Sequence, residues 1–487
     1  MTTYQITADG ITVTRVVDVS YSNTSNGEVG SATITVANTE GNRALFQPGA
    51  KVNVFEEDTS NPGTYDKVWA GEVNGKPSDT SRRNLTLQVE AESKSGALEY
   101  ISVDRPFIEM SNSEVLREAV DKTRDPEVRN EFIHKGSSLT SWSSNAANFS
   151  LTSSPSNIQK FGSDAVYCGI PRASTGTTYA EYSFDPSKVP GRRLFRLETR
   201  LLVNNRGGVF DVTVSITDED GIRFEWNVDT TGISEFKNYE LAVEDANVST
   251  GGSPGTLRYE VAANDSKVPE DRAFAIDHAK SVTFRLLDRD VGVTTDIEET
   301  EFKTTRRVST SVLNLLDRFR VEDGYVGRVT SDNTLIYEPD GSTRAPFDVV
   351  YGSGDVDVVD ISVNRDYDVR NRVTVQGKDD VQVSFEDTAS IQFYNAEVPK
   401  QEPIDNPSIR TIEQARRRAR GYLNENAWED GAITVTVADP RSKQVEAGQV
   451  MGFDWEPEGL DGDFTVDSVS RKSSGLTEIS VSGSTSL

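Results

Sequence analysis

Two stretches far apart in the chain decide the fold. The first is Thr33-Ile34-Thr35-Val36-Ala37-Asn38, and the second is Thr434-Val435-Thr436-Val437-Ala438-Asp439. Both alternate apolar and polar side chains, so each predicts a β-strand with one face on a core. A glycine turn follows each strand, at Gly49 and at Gly448, and apolar residues stand three and five positions later. They are Val52 and Val54 in the first stretch, and Met451 and Phe453 in the second.

The likeness continues to the end of both segments. A strand with an early glycine comes next, Ala70-Gly71-Glu72-Val73 and Asp461-Gly462-Asp463-Phe464-Thr465-Val466. An alternating strand closes each segment, over 85–91 and 476–483. Four strands in one order predict two copies of a small β-barrel, over residues 1–105 and 355–487. The alternative is that antiparallel β-domains generally share such patterns.

The middle of the chain changes character twice. Residues 128–299 are rich in Ser, Thr, Asn and Gly and hold strand-like runs between turn signals, which predicts an inserted β-sandwich. The flanking segments, 106–127 and 300–354, predict a split α+β middle domain with one helix before the insert and one after it. The fold class is therefore mainly β, with two similar barrels flanking that middle domain.

Three stretches show helical spacing. Ser113 is predicted to cap the first helix, and Ser309 or Ser311 the second. Thr411 and Gln414 form a capping box for a helix over 411–424 inside the last domain. A hairpin is predicted to turn at Asp332-Asn333.

Charge limits the classes of partner. The 487 residues carry 78 acidic and 51 basic side chains, a net charge of −27, and only 16 of the basic residues are Lys. Such a chain does not bind nucleic acid through general surface charge. Acidity with few Lys favours a high-salt cytoplasm, because concentrated salt screens self-repulsion; the alternative is an ordinary acidic protein. No apolar run approaches a membrane span and no secretory signal opens the sequence.

Catalysis lacks a candidate motif. The two histidines, His134 and His278, stand in no zinc-binding pattern, and Cys168 lies in an apolar run typical of a buried thiol. A phosphate-binding loop is absent from the sequence, and its one G-x-S-x-G match, Gly251-Gly252-Ser253-Pro254-Gly255, is a glycine- and proline-rich run typical of a turn rather than of a hydrolase elbow. Asp218 and Asp220 favour a hairpin turn over a calcium site. We therefore expect no catalytic residues, no metal and no cofactor.

The ordered set of segments resembles the tail-tip or baseplate hub proteins of tailed viruses, including the late-control type of contractile tails. The resemblance spans about residues 1–127 and 300–487. It rests on the following segments: Gln47-Pro48-Gly49-Ala50-Lys51-Val52, Val68-Trp69-Ala70-Gly71-Glu72-Val73, Ser311-Val312-Leu313-Asn314-Leu315-Leu316 with Asp332-Asn333-Thr334-Leu335-Ile336-Tyr337-Glu338-Pro339, Tyr367-Asp368-Val369-Arg370-Asn371-Arg372-Val373-Thr374-Val375, and the Thr411 helix with Val445-Glu446-Ala447-Gly448-Gln449-Val450.

The resemblance implies a structural protein of the virion tail tip. Such hubs are homotrimers in which each chain supplies two barrels, so that six barrels match a sixfold tail tube. The implied partners are the tail tube, distal tail proteins, the tape measure, and tail fibres or a tip protein; DNA would pass through the lumen without sequence-specific binding. The alternatives are a tail-associated hydrolase that opens the host envelope and a cell-surface adhesin.

The insert resembles a carbohydrate-binding or lectin-like module, which implies contact with a host surface glycan or a tail protein. The aromatic candidates for glycan contact are Trp142, Tyr179, Tyr182 and Trp226, and the alternative for each is a place in the sandwich core. A basic cluster of Arg416, Arg417, Arg418 and Arg420 predicts a docking site for an acidic neighbouring subunit; the alternative is a solvated helix face.

Overall fold

The structure, a computed structural model, describes residues 4–24, 29–57, 61, 63–79, 85–122, 127–135, 138–146, 148–152, 165–170, 177–204, 210–229, 236–263, 272–287, 291–301, 303–364, 369–378, 381–394, 401–405, 409, 411–428, 433–472 and 474–483. Strands dominate these residues, so the prediction of a mainly β chain is confirmed. None of the helices in these ranges is long and apolar enough to cross a membrane.

The N-terminal segment forms antiparallel strands around a short helix. Its elements are β1 (Tyr4–Ala8), β2 (Ile11–Thr12), β3 (Val16–Thr24), β4 (Ser31–Ala37), α1 (Glu40–Leu45), β5 (Lys51–Glu57), β6 (Tyr65–Val73), β7 (Ser78–Asp79) and β8 (Thr86–Ser93). Hydrogen bonds join β5, β6, β8, β4 and β3 in that order. We call β3 to β8 the first repeat unit. The alternating strands bury one face, including Ile34, Val52 and Val89.

The chain then enters the middle domain and leaves it for the sandwich. The next elements are α2 (Lys94–Glu99), β9 (Ser102–Met110), α3 (Asn112–Asp121), β10 (Glu127–His134), β11 (Trp142–Ser144), β12 (Asn148–Thr152), β13 (Ala165–Ile170), β14 (Thr177–Ser183), β15 (Leu194–Asn204), β16 (Phe210–Thr217), β17 (Ile222–Val228), β18 (Lys237–Ala242), β19 (Asn247–Thr250), β20 (Thr256–Ala263) and β21 (Arg272–Arg285). Strands β10 to β21 form two six-stranded antiparallel sheets over one core. This is the sandwich that the sequence predicts between the two middle helices.

The middle domain resumes after the sandwich. Its elements are β22 (Thr294–Ile297), β23 (Thr304–Ser311), α4 (Val312–Asp323), β24 (Tyr325–Val329), β25 (Thr334–Pro339) and β26 (Val349–Val350). Strand β23 pairs with β9, which precedes the insert, and α4 shares a core with α3. The two halves therefore fold together across the insertion.

The C-terminal segment holds the second set of matching strands. Its elements are β27 (Val358–Val363), β28 (Arg372–Gln376), β29 (Gln382–Glu386), α5 (Thr388–Phe393), β30 (Gln401–Asp405), α6 (Ile412–Asn426), β31 (Ile433–Val437), β32 (Val450–Trp455), β33 (Leu460–Lys472) and β34 (Thr477–Gly483). Hydrogen bonds join β32, β33, β34, β31 and β27 in that order. We call these five strands the second repeat unit. Residues 364–432 are an insertion between β27 and β31, where the first unit has a short connection.

The two units share their strand registers as well as their strand order. Both have a β-bulge in the equivalent ladder, between Val16 and Asp18 and between Val358 and Asp360. The equivalent pairs are Ile34–Val89 with Val435–Ile479, Ile34–Val19 with Val435–Ile361, Val52–Gly71 with Met451–Phe464, and Glu72–Glu92 with Thr465–Ser482. A register is fixed by the side chains that must face the core, so matched registers at four ladders indicate one repeated fold.

The turn glycines are equivalent too. Gly49 and Gly448 have left-handed backbones, with φ of 85° and 86°, which glycine adopts at little steric cost. The Gly49 amide donates to the carbonyl of Val73 at 2.8 Å, and the Gly448 amide donates to that of Val466 at 2.6 Å. The turn that the sequence marks is therefore built in the same way in both units.

The prediction of two barrels is not confirmed. Among the described strands, neither unit closes on itself through backbone hydrogen bonds. Instead β3 extends beyond its pairing with β4 and pairs with β33, which joins both units into one 14-stranded sheet. An open unit with a shared edge strand replaces the predicted closed barrel.

The helix caps correct one prediction and confirm two. Ser111, not Ser113, caps α3, and its side chain accepts from the Glu114 amide; the Ser113 hydroxyl instead accepts from the Thr300 amide. Ser311 caps α4 as predicted. Thr411 and Gln414 form the predicted capping box of α6.

Candidate functional site at the seam between the repeat units

The seam is the line along which the first repeat unit meets the second. Five residues of β3, Ser20 to Thr24, pair antiparallel with Ser468 to Lys472 of β33. Strand edges carry unpaired amides and carbonyls that favour pairing with another strand. At the seam, one edge of each unit is therefore paired with the other unit.

Arg471 lies buried in the seam, opposite Tyr21. Its guanidinium donates to the carbonyl oxygens of Ser442 at 2.5 Å and Val445 at 2.9 Å. The guanidinium carbon, Cζ, lies 5.6 Å from the centre of the Tyr21 ring. A buried cation needs such partners because removal from water is costly. Arg471 thus ties the turn before β32 to the first repeat unit.

Glu56 supplies the opposite charge on the first unit. The Tyr21 hydroxyl donates to the Glu56 carboxylate at 3.4 Å. Burial raises the pKa of Glu56, and the nearby charges of Arg471 and Lys443 oppose that rise. Tyr21 also has a raised pKa, chiefly because of its burial. Tyr21 therefore contacts both charged groups: its hydroxyl donates to Glu56, and its ring lies beside the Arg471 guanidinium.

Ion pairs line the outside of the seam. Lys443 of the second unit lies 2.9 Å from Asp66 of the first, and Lys67 of the first unit lies 2.8 Å from Asp332, in the turn between β24 and β25 of the middle domain. Between them is a groove of about 440 Å³ with charged and amide side chains on its walls. Its cations are already bound to carboxylates or carbonyls of the chain, so this arrangement is suited to holding the first unit against the second unit and the middle domain.

The arginine cluster of α6 is partly engaged within the chain. Arg416 lies 3.5 Å from Glu413, Arg417 lies 3.3 Å from Glu301, and the Arg420 guanidinium lies 5.8 Å from the centre of the Phe385 ring. Arg417 and Arg418 also line a cleft of about 960 Å³ between α6, the middle domain and the sandwich. The cluster therefore does not form one continuous basic face.

The four sandwich aromatics do not form one surface. Trp226 is 3% exposed and its indole donates to the carbonyl of Ala242, so the prediction that it contacts a glycan is wrong. Trp142 and Tyr182 are half-buried against each other and His134 at one end of the core. Tyr179 lies on the outer face of β14, where the Arg258 guanidinium lies 4.1 Å from the centre of its ring.

The residues considered for catalysis lie in packed surroundings. Burial lowers the pKa of His134 to about 3 and raises the pKa of the Cys168 thiol to about 12. His278 lies 3.3 Å from the buried carboxylate of Asp277. Asp218 accepts three backbone amides, from Arg192, Asp220 and Ile222, as a turn residue does. No group of three or more potential metal ligands occurs in the described ranges.

Sequence reasoning did not find Tyr21, Glu56 or Arg471. One signal was available for Arg471. Arg471 stands two residues after Val469 in β33, so the two side chains lie on the same face of the strand. The pattern predicts an apolar side chain facing the core at position 471, and the sequence has an arginine there. An arginine in such a position indicates a buried partner.

Comparisons with known proteins give structural neighbours only. No family model matches the chain, and no curated protein matches it. The 43 kDa tail protein of prophage MuSo2 from Shewanella oneidensis has 11% identity and a TM-score of 0.47, covering 98% of this chain and 97% of its own. A tail protein from Neisseria meningitidis has 9% identity and a TM-score of 0.47, covering 99% and 96%. A family 11 carbohydrate-binding module from Clostridium thermocellum has 10% identity and a TM-score of 0.24, covering 31% of this chain and 94% of its own.

Proposed function

We propose that the chain is a structural hub of a viral tail tip, in which three copies form a ring that joins a sixfold tube to a threefold tip. The tail location comes from the sequence resemblance described above. The adaptor role rests on one observation, the two repeat units with matched registers at four ladders.

The repeat suits an adaptor for a symmetry reason. A ring of three identical chains presents only three equivalent surfaces, whereas three chains with two equivalent units each present six. The buried seam around Arg471 would hold the two units of a chain at a fixed separation. A sixfold partner could then contact every unit in the same way.

The proposed parts keep the predicted boundaries. Residues 1–105 and 355–487 would form the ring, 106–127 with 300–354 would form the middle domain, and 128–299 would project as a contact module. We propose that this module meets a host glycan or a tail fibre through Tyr179 rather than Trp226. Loss of binding to host glycans in Tyr179→Ala, with Tyr179→Phe unaffected, would support the contact; equal binding by all three chains would contradict it.

Oligomeric state tests the hub proposal. Light scattering in molar KCl should give the mass of three chains, and electron micrographs of the particles should show six similar lobes around a lumen. A strict monomer at every accessible concentration, both alone and with tail tube protein, would overturn the proposal.

The arginine cluster has a place in the same proposal. We expect Arg417→Glu with Arg420→Glu to weaken assembly and leave the fold of the isolated chain intact, because both side chains are at the surface or at the cleft. Circular dichroism and tail assembly would be measured together, with Arg43→Glu as the surface control. Normal tails from the double variant would contradict the docking role.

A further inference from the structure

The seam pairs non-equivalent edges of the two repeat units. The first unit contributes the β3 edge, and the second contributes the C-terminal half of β33. Because the two units are equivalent, the second unit has a strand that corresponds to β3. The first unit likewise has a strand that corresponds to the C-terminal half of β33. One chain should therefore carry one joined pair of edges and one unjoined pair.

The matched registers identify the unjoined pair. Strand β27 is the counterpart of β3, because Val358 and Ile361 occupy the positions of Val16 and Val19. Strand β7 is the counterpart of the C-terminal half of β33, because Ser78 and Asp79 pair with Gln88 and Leu87 as Ser470 and Arg471 pair with Glu478 and Thr477.

Both strands stand at an edge in the part of the chain that the structure describes. Strand β27 ends the 14-stranded sheet and has β31 as its partner, and β7 has β8 as its partner. Such an edge is a template for another strand.

We propose that β27 of one chain pairs antiparallel with β7 of a second copy and so repeats the seam between chains. Carrying over the seam register, in which Tyr21 lies opposite Arg471 and Ser22 opposite Ser470, places Val363 opposite Asp79 and Asn364 opposite Ser78. The contact joins two different surfaces, so it propagates head to tail and closes into a ring if the rotation permits. This inference rests on the proposed ring and names the surfaces that build it.

The junction differs in chemistry from the seam. Val363 and Asp79 replace Tyr21 and Arg471, so the aromatic and guanidinium pair of the seam has no counterpart there. Pro77 precedes Ser78 and has no amide hydrogen to donate, which ends the ladder early. The junction is therefore shorter than the seam, and chains should separate while each seam stays intact.

Disulfide trapping tests the register. Val363→Cys and Asp79→Cys are made in separate chains, mixed in molar KCl and oxidised mildly. We expect a covalent dimer in the mixture and only trace amounts in either variant alone, because a disulfide needs Cα atoms about 4.4–6.8 Å apart. Asn364→Cys with Ser78→Cys provides a second in-register pair. Val359→Cys with Asp79→Cys is the control, since four residues displace the thiol by about 13 Å along the strand.

The outcomes separate this inference from the hub proposal. A chain carrying both Val363→Cys and Asp79→Cys should give a closed covalent trimer, and a reducing agent should separate it into single chains on a denaturing gel. Trimers by light scattering without in-register cross-links would overturn the junction and leave the hub proposal standing. Monomers throughout, with no cross-links at any concentration, would overturn both.

Discussion

At the scale of single residues, the two repeat units exchange a large and a small side chain. Trp69 and Gly71 on β6 occupy the positions of Gly462 and Phe464 on β33. The Trp69 ring lies over Gly71 in the first unit, whereas in the second unit Phe464 itself fills that place, 5.3 Å from Phe453 between ring centres. Each core thus keeps one aromatic ring at this point, supplied from positions two residues apart.

This exchange makes Gly71 sensitive to any side chain. A Cβ there would lie 2.0 Å from the Glu92 carbonyl oxygen and 2.3 Å from the Trp69 ring. We expect Gly71→Ala to lower the free energy of unfolding by about 1–3 kcal/mol through overpacking. Urea unfolding would measure it, with Gly75→Ala as the matched control, because a Cβ at Gly75 meets no atom within 4 Å. Equal stability of the two variants would contradict this account of the core.

Arg471 is the residue on which the seam most depends. Replacing it with methionine leaves the buried carbonyls of Ser442 and Val445 without this donor. It also removes the positive charge that holds down the pKa of Glu56. We expect Arg471→Met to cost about 1–3 kcal/mol per uncompensated group and to raise the pKa of Glu56 further. Chemical denaturation and the pH dependence of stability would be measured against Arg416→Met, whose side chain is 53% exposed. A cost no larger than that of Arg416→Met would contradict the role of Arg471.

At the scale of elements, α6 fixes the long insertion of the second unit against the middle domain. A Cβ on Gly421 would lie 1.6 Å from the carbonyl oxygen of Val321 in α4, so only glycine permits this approach. We expect Gly421→Ala to displace α6, cost about 1–3 kcal/mol and speed hydrogen exchange in both helices. Gly41→Ala in α1 is the control, since its nearest neighbour is 4.0 Å away. Unchanged exchange in α6 would contradict the close packing.

Elements were predicted from the sequence where the signal is local. The capping box of Thr411, the cap at Ser311 and the turn glycines Gly49 and Gly448 depend on neighbours within a few residues, and all four are confirmed. The seam was not predicted because β3 and β33 are far apart in sequence and pair through backbone atoms that any residue carries. Alternation with Phe224 and Val228 could have placed Trp226 inside the sandwich. In β14 the buried residues are Thr178 and Ala180, so Tyr179 between them faces the other side of the sheet.

At the scale of the whole molecule, the repeat and the charge balance are separate features. The repeat determines which surfaces of neighbouring chains are in contact. The net charge of −27 determines at which salt concentrations those contacts are stable. Carboxylates are crowded near the second unit, where Asp454, Glu456, Glu458, Asp461 and Asp463 are all exposed. Arg344 forms an ion pair with this group, at 3.0 Å from Asp463. Chains bearing such surfaces repel each other in dilute buffer.

Salt should therefore stabilise both the fold and the ring. The Debye length falls from about 10 Å at 0.1 M to about 3 Å at 1 M, so repulsion between nearby carboxylates is still being screened above 0.1 M. We expect the melting temperature to keep rising between 0.1 and 1 M KCl, by about 2–4 °C for each kcal/mol of relieved repulsion in a domain of about 150–250 residues. Asp461→Asn with Glu456→Gln should reduce that gain, whereas removing two exposed carboxylates outside the acidic stretch, by Glu40→Gln with Glu99→Gln, should reduce it less. A gain complete by 0.1 M would favour an ordinary acidic protein, because long-range repulsion is already screened there, and would contradict adaptation to a salt-rich host.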